Sequence, residues 1–118
     1  MAGVARVGDR TYGACSFAWR HHHTTYYCYW WEEGRIGRVM EGSVTTFANI
    51  KGIARVGDLC QHDYNPNAPY PHDDKGYISS GSSSVKVDGK PVARIGDPFT
   101  GTYSGSITEG SSDIHAGG

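Results

Sequence analysis

One internal likeness constrains this chain more than any other feature. Residues 41–58, EGSVTTFANIKGIARVGD, align without a gap to residues 80–97, SGSSSVKVDGKPVARIGD. The shared frame is Gly-Ser, an alternating stretch, a small-residue turn, then Ala-Arg-[Val/Ile]-Gly-Asp. The chain opens on the end of that frame (VARVGD, 4–9) and closes on its beginning (EGSSDIHAGG, 109–118). Three ends and three beginnings make three repeats read circularly, with the two termini completing one of them. A further match precedes each Gly-Ser: Gly37-Arg38-Val39, Gly76-Tyr77-Ile78 and Gly105-Ser106-Ile107. The frame thus occupies 4–9, 37–58, 76–97 and 105–118 of a single domain, 1–118. It is interrupted by connections that shorten along the chain.

The repeat reads as β. Ser84-Val85-Lys86-Val87 alternates with period two, as a half-buried strand does. Asp88-Gly89 supplies the residues that tolerate positive φ in a two-residue hairpin turn. Val92-Ala93-Arg94-Ile95 is then the returning strand, with Val92 and Arg94 on one face and Ala93 and Ile95 on the other. Pro91 belongs at a strand start or edge, because it has no N–H to give to a ladder. In the copy at 47–52, Asn49-Ile50 stands where Asp-Gly would, so its turn is less clearly signalled. Hairpins this short bury no core alone. Three related by a pseudo-threefold axis would bury their apolar faces against one another, giving an all-β, pseudo-threefold assembly of short hairpins. Such a monomer has a base that can match the end of a true homotrimer. Helix evidence is confined to 26–35 (YYCYWWEEGR), whose aromatic density suits a strand equally well.

Composition supports many tight turns: 17 of 118 residues are Gly, about twice the usual ~7% share. A formal net charge of −1 and a pI near 6.6 give no electrostatic footprint for nucleic acid or for an anionic membrane. The N-terminal residues have no apolar signal region and no stretch is long enough to span a bilayer. The expectation is a chain made in the cytoplasm that leaves by a route needing no signal peptide. Cys15, Cys28 and Cys60 are an odd number of cysteines, against a closed disulfide framework.

The frame GS-x-x-V-x-V-x-G-x-P-x-A-R-x-G-D resembles the PAAR repeat. Its signature run reads Pro91-Val92-Ala93-Arg94 here, with Gly52-Ile53-Ala54-Arg55 and Gly3-Val4-Ala5-Arg6 as looser copies. The likeness covers the frame of the whole chain in the family's circular order. The insert at 12–34 departs from it in length and aromatic content. The resemblance implies a small cone of short strands with a metal-stapled apex, held by one zinc or iron ion (zinc favoured) on His and Cys ligands. It implies a structural spike-tip protein, not an enzyme. The base of such a tip sits on a homotrimeric β-helical spike, VgrG-like or the central spike of a phage. It helps pierce the target envelope, touching the target membrane transiently. Such proteins end on a virion tail or are expelled by a type VI secretion machine. With no toxin extension in view, the chain reads as a bare tip, monomeric on its own.

All cysteines and five of the six histidines lie in two inserts, the long one at 10–36 and the second at 59–75. Cys60-Gln61-His62 followed by His72 is the best metal candidate: thiolate and imidazole suit zinc or iron. Alternation in an extended segment would set Cys60 and His62 on one side, and three prolines stiffen the loop that returns His72. His23 stands fourteen residues past Asp9, as His72 stands fourteen past Asp58, which makes it the fourth candidate. His21, His22 or Cys15 are its substitutes. Surface histidines beside a buried cysteine are the bland reading. His115 reads as an ordinary sheet residue and Cys28 as a packed thiol. The aromatic run around it reads as local core, an apolar partner face, or a membrane-touching tip. Arg6-x-x-Asp9, Arg55-x-x-Asp58 and Arg94-x-x-Asp97 read as structural turns, since an active site is seldom needed in triplicate. Two rival functions remain: a metal-binding adaptor that attaches effectors to secretion machinery, and a small cysteine hydrolase using Cys60.

Overall fold

Where the sequence sets Asp88-Gly89, the chain turns with φ of 54° and 77°. Asn49 and Ile50 make the same turn at 53° and 64°, so both repeats close in the conformation that matches strand twist. The computed structural model describes residues 2–15, 18–21, 24–27, 36–62, 75–101 and 103–118. Their strands are β1 (Ala2–Gly3), β2 (Arg10–Cys15), β3 (Ala18–His21), β4 (Thr24–Tyr27), β5 (Ile36–Val39), β6 (Phe47–Ala48) and β7 (Lys51–Gly52). They continue as β8 (Leu59–His62), β9 (Lys75–Ile78), β10 (Lys86–Val87), β11 (Lys90–Pro91), β12 (Pro98–Gly101), β13 (Tyr103–Ile107) and β14 (His115–Ala116). The described residues contain no helix. The all-β expectation holds; beyond Tyr27, at the end of β4, the segment with a possible helical turn lies outside the described residues.

Two hairpins, β6–β7 and β10–β11, are continuous in sequence. The third is assembled from the termini, with Ala2 opposite Ala116 and Gly3 opposite His115. Single bridges join each repeat to the next at equivalent positions: Val4 to Arg94, Ile53 to Arg6, and Val92 to Arg55. The three hairpins bury a common cluster with two residues from each repeat, namely Ala48 and Ile53, Val87 and Val92, Ala116 and Val4. This is the mutual burial that two-stranded units need. The returning strand is shorter than the alternation suggested. β11 stops at Pro91, and Val92 and Ala93 are both buried. Near the threefold axis the chain has neighbours on both sides, so period two no longer marks an inside and an outside.

One step further along, Ala5, Ala54 and Ala93 form a closed ring of backbone hydrogen bonds. Ala5 N–H donates to Ala93 O at 2.8 Å, Ala93 N–H to Ala54 O at 2.9 Å, and Ala54 N–H to Ala5 O at 2.9 Å. All three are fully buried. The alanine of each Ala-Arg pair is therefore the residue that meets its two copies at the axis.

Beyond the ring a six-stranded barrel closes in the order β12-β13-β2-β5-β8-β9. Its strands are the stems of the three connections, each stem an antiparallel pair. The register is threefold: Arg10 faces Arg38, Leu59 faces Tyr77 and Pro98 faces Ser106 within stems. Between stems, Val39 faces Cys60, Ile78 faces Phe99 and Ile107 faces Thr11. Every one of these last six is at most 1% exposed, so they are the first layer of barrel core. Gly37, Gly76 and Gly105 lie one strand repeat above. A Cβ there would run into the backbone oxygens of Gln61, Tyr103 and Tyr12 respectively. The glycine ahead of each Gly-Ser is thus a close-approach residue that lets the barrel be narrow. The two shorter principal extents of the molecule, 22 and 22 Å against a length of 48 Å, match a threefold axis along its length.

Candidate functional site

The three Arg-x-x-Asp motifs form one turn, repeated. In each, the Asp carboxylate accepts from the backbone N–H of the Arg at 2.8 Å and from its guanidinium through two nitrogens, at 2.8–3.1 Å. Gly8, Gly57 and Gly96 hold φ between 91° and 94°, a region glycine enters without penalty. Their N–H groups donate to Val39, Ile78 and Ile107 O, all at 2.8 Å. Bonding to Asp9, Asp58 and Asp97 raises the pKa of Arg6, Arg55 and Arg94 above the ordinary arginine value. The aspartates are buried and fully engaged, so these groups brace the junction between hairpin layer and barrel. The structural reading of the motif holds.

Each arginine also reaches across to the tip of the next hairpin. Arg6 donates to Asn49 Oδ1 at 2.9 Å, Arg55 to Asp88 Oδ2 at 2.8 Å and Arg94 to the carbonyl of Gly117 at 3.1 Å. Every Gly-Ser start has a matching role. The buried hydroxyls of Ser43, Ser82 and Ser111 each accept two N–H groups, from the residues two and three further on, at 2.9–3.2 Å. These clamps were not foreseen from the sequence. Their only sequence signal was the threefold recurrence of the Ser.

All three inserts leave the barrel at the end remote from the hairpins, because β2, β8 and β12 each run outward from an aspartate turn and β5, β9 and β13 each run back. Within the barrel, Cys60 is 0% exposed and is the threefold counterpart of Thr11 and Phe99. Burial, with a smaller contribution from the Asp58 carboxylate, pushes its thiol up to about 12. Cys60 shares one buried core cluster with Tyr103, whose ring lies 4.8 Å from that of Phe99 and whose hydroxyl sits 3.0 Å from Thr11 Oγ1. A neutral, enclosed sulfur of this kind is not a nucleophile that a substrate can reach.

His62 occupies the β8 position two beyond Cys60 and opposite Gly37. β8 is extended over both residues, as the alternation argument requires. In the same register level, the counterparts of His62 are Gly13 and Gly101, paired with Gly105 and Gly76. With Gly37, five of six positions are glycine, and His62 is the sixth. Cys15 ends β2 opposite Tyr103, and His21 ends β3 opposite Thr24. His23 and His72 lie outside the described residues, as do His22 and Cys28. The described residues do not group three metal-ligating side chains. His115 pairs with Gly3 in β14 and is exposed, an ordinary sheet position.

Comparison with known proteins gives one family. A family model described as PAAR motif matches residues 31–101 and, overlapping, 69–118. No curated protein matches the chain.

Proposed function

The chain belongs to the PAAR-motif family, whose members are spike-associated proteins of type VI and related contractile injection systems, and from that premise we propose that it caps one homotrimeric β-helical spike. The observation that carries this reading is the closed Ala5–Ala54–Ala93 ring, which makes a single chain threefold in its backbone. A pseudo-threefold end can offer three near-equal contacts to a true trimer, whereas an asymmetric monomer offers one. In this reading the hairpin end docks on the spike and the insert end leads into the target envelope. The chain is monomeric until docked and travels with the machine, on a virion tail or through a secretion system. Native mass spectrometry of the chain mixed with its trimeric spike partner tests it: one chain per spike trimer is expected. Binding of three chains per trimer, or none, overturns it.

The same reading includes a metal staple: His23, Cys60, His62 and His72 hold one zinc or iron ion, zinc favoured. Its support is the donor chemistry, and the position of Cys60 and His62 on an extended strand among glycines. A bound cation would replace the thiol proton that burial otherwise retains. Such a closed four-ligand site is structural. Elemental analysis of untagged protein should find about one metal per chain. A metal-free protein with undiminished cooperativity of unfolding would remove the staple and leave the threefold scaffold intact.

A further inference from the structure

We propose that the outer side of the β6–β7 hairpin is a docking site for an apolar, acidic segment of a partner protein. The three hairpins share a backbone, so each supplies a control for the others. Where β6–β7 carries Val44, Phe47 and Ile50, the equivalent positions are Ser83, Lys86 and Gly89 in one repeat and Ser112, His115 and Gly118 in the other. The scaffold therefore does not need these three apolar side chains. Nor are they covered: they are 87%, 54% and 96% exposed. Together with Met40 they line an open groove of about 930 Å³.

Ile50 adds a second, independent observation. It is a β-branched residue at φ 64°, a conformation disfavoured for such side chains, at the position where the sister turn uses Gly89. Arg6 and Ser111 hold the turn through the neighbouring Asn49, but the Ile50 side chain itself, almost fully in solvent, gains almost no packing among the described residues in return. Backbone strain coinciding with an exposed apolar side chain points to something the side chain meets elsewhere.

The charges choose the occupant. Of the groove's ionic groups, Asp58 is engaged by Arg55, Arg55 is further engaged by Asp88, and Glu41 accepts from the N–H of Leu59. Lys51 and Lys90 line the groove with no ion pair among the described residues. An apolar floor flanked by two available ammonium groups is complementary to a segment in which large apolar residues alternate with carboxylates. A threefold partner is not the occupant, since it would face Val44, Ser83 and Ser112 alike. This site is thus separate from the end-on contact proposed above, and suits one bound partner per chain.

The test is selection from a random displayed-peptide library on the full chain, with counter-selection on a Val44→Ser, Phe47→Lys, Ile50→Gly variant. Each replacement is the residue of the equivalent position in the β10–β11 repeat, so the scaffold accommodates it. Enriched peptides should combine Leu, Phe or Trp with Asp or Glu, and should shift the amide signals of residues 42–52 and of Lys90. The triple variant should weaken binding at least tenfold, and added salt or a Lys51→Glu, Lys90→Glu pair should weaken it as well. Spike capping by the triple variant should be unchanged; its loss overturns the proposal, because the spike itself would then be the occupant. The proposal is overturned if no peptides enrich over the variant, or if enriched peptides are basic or shift another surface. It is equally overturned if the wild type self-associates through this patch, which would make a second copy the occupant.

Discussion

Ile50 shows how a residue-scale observation becomes an experiment. An Ile in the left-handed region costs about 1–2 kcal/mol, and a Gly gives back part of this as chain entropy. Ile50→Gly should therefore raise stability by roughly 0.5–1 kcal/mol in denaturant titration. That Asp88-Gly89 would turn was legible, since both residues accept positive φ; that Asn49-Ile50 turns identically was not, because Ile argues against it locally. The tertiary frame overrides that preference, with Arg6 and Ser111 gripping Asn49 Oδ1 at 2.9 and 2.7 Å. At the sister tip, hydrogen bonds from Ser43 and Thr45, aided by Arg55, lower the pKa of Asp88. A carboxylate with a depressed folded pKa contributes stability above its ordinary value, lost as pH falls through the folded one. Stability should thus decline as the solution is acidified below about pH 4, and Asp88→Asn should flatten part of that decline. Cys60 has the opposite sign. Its folded thiol holds the proton up to about 12, so the metal-free protein should lose stability as pH rises above about 9, where the unfolded thiol ionises. Alkylation of Cys60, mapped by mass spectrometry, should follow global unfolding.

At the scale of elements, the alanine ring and the serine clamps are the joints of the repeat. Ala93→Val adds two methyl groups where three segments of the chain converge with no exposed surface, so overpacking should destabilise by about 1–3 kcal/mol. Ser82→Ala removes the acceptor for the N–H groups of Ser84 and Val85 at 3.2 and 3.0 Å, and should cost about 1 kcal/mol. Ser43→Ala should cost a similar amount, which thermal or chemical unfolding of the two variants checks. The sequence displayed these residues as a recurrence. Their purpose was hidden because each acts on a chain segment of another repeat, or on its own backbone after a turn, and pattern alone does not say which.

At the scale of the whole molecule, the circular repeat is completed by pairing β1 with β14, so both ends of the chain lie in the hairpin layer. The proposed staple would act away from that layer, at Cys60 and His62 of β8 in the barrel. Chelation should therefore lower the unfolding midpoint and increase amide hydrogen exchange in β8 before it affects the hairpins, because metal binding contributes to folding only where its ligands sit. Uniform loss of protection would place the ion's influence elsewhere. By itself the amino-acid sequence determined the all-β class, the threefold count, the turn at Asp88-Gly89 and the structural part of each Arg-Asp pair. These rest on local propensity and on recurrence, which are written in order along the chain. Only the tertiary structure decided that the six strands of the three insert stems close a barrel, that Cys60 shares a core layer with Thr11 and Phe99, and that Val44, Phe47 and Ile50 stand uncovered. Those outcomes depend on which strands become neighbours across the axis, and a pattern read along one chain carries no record of what lies beside it.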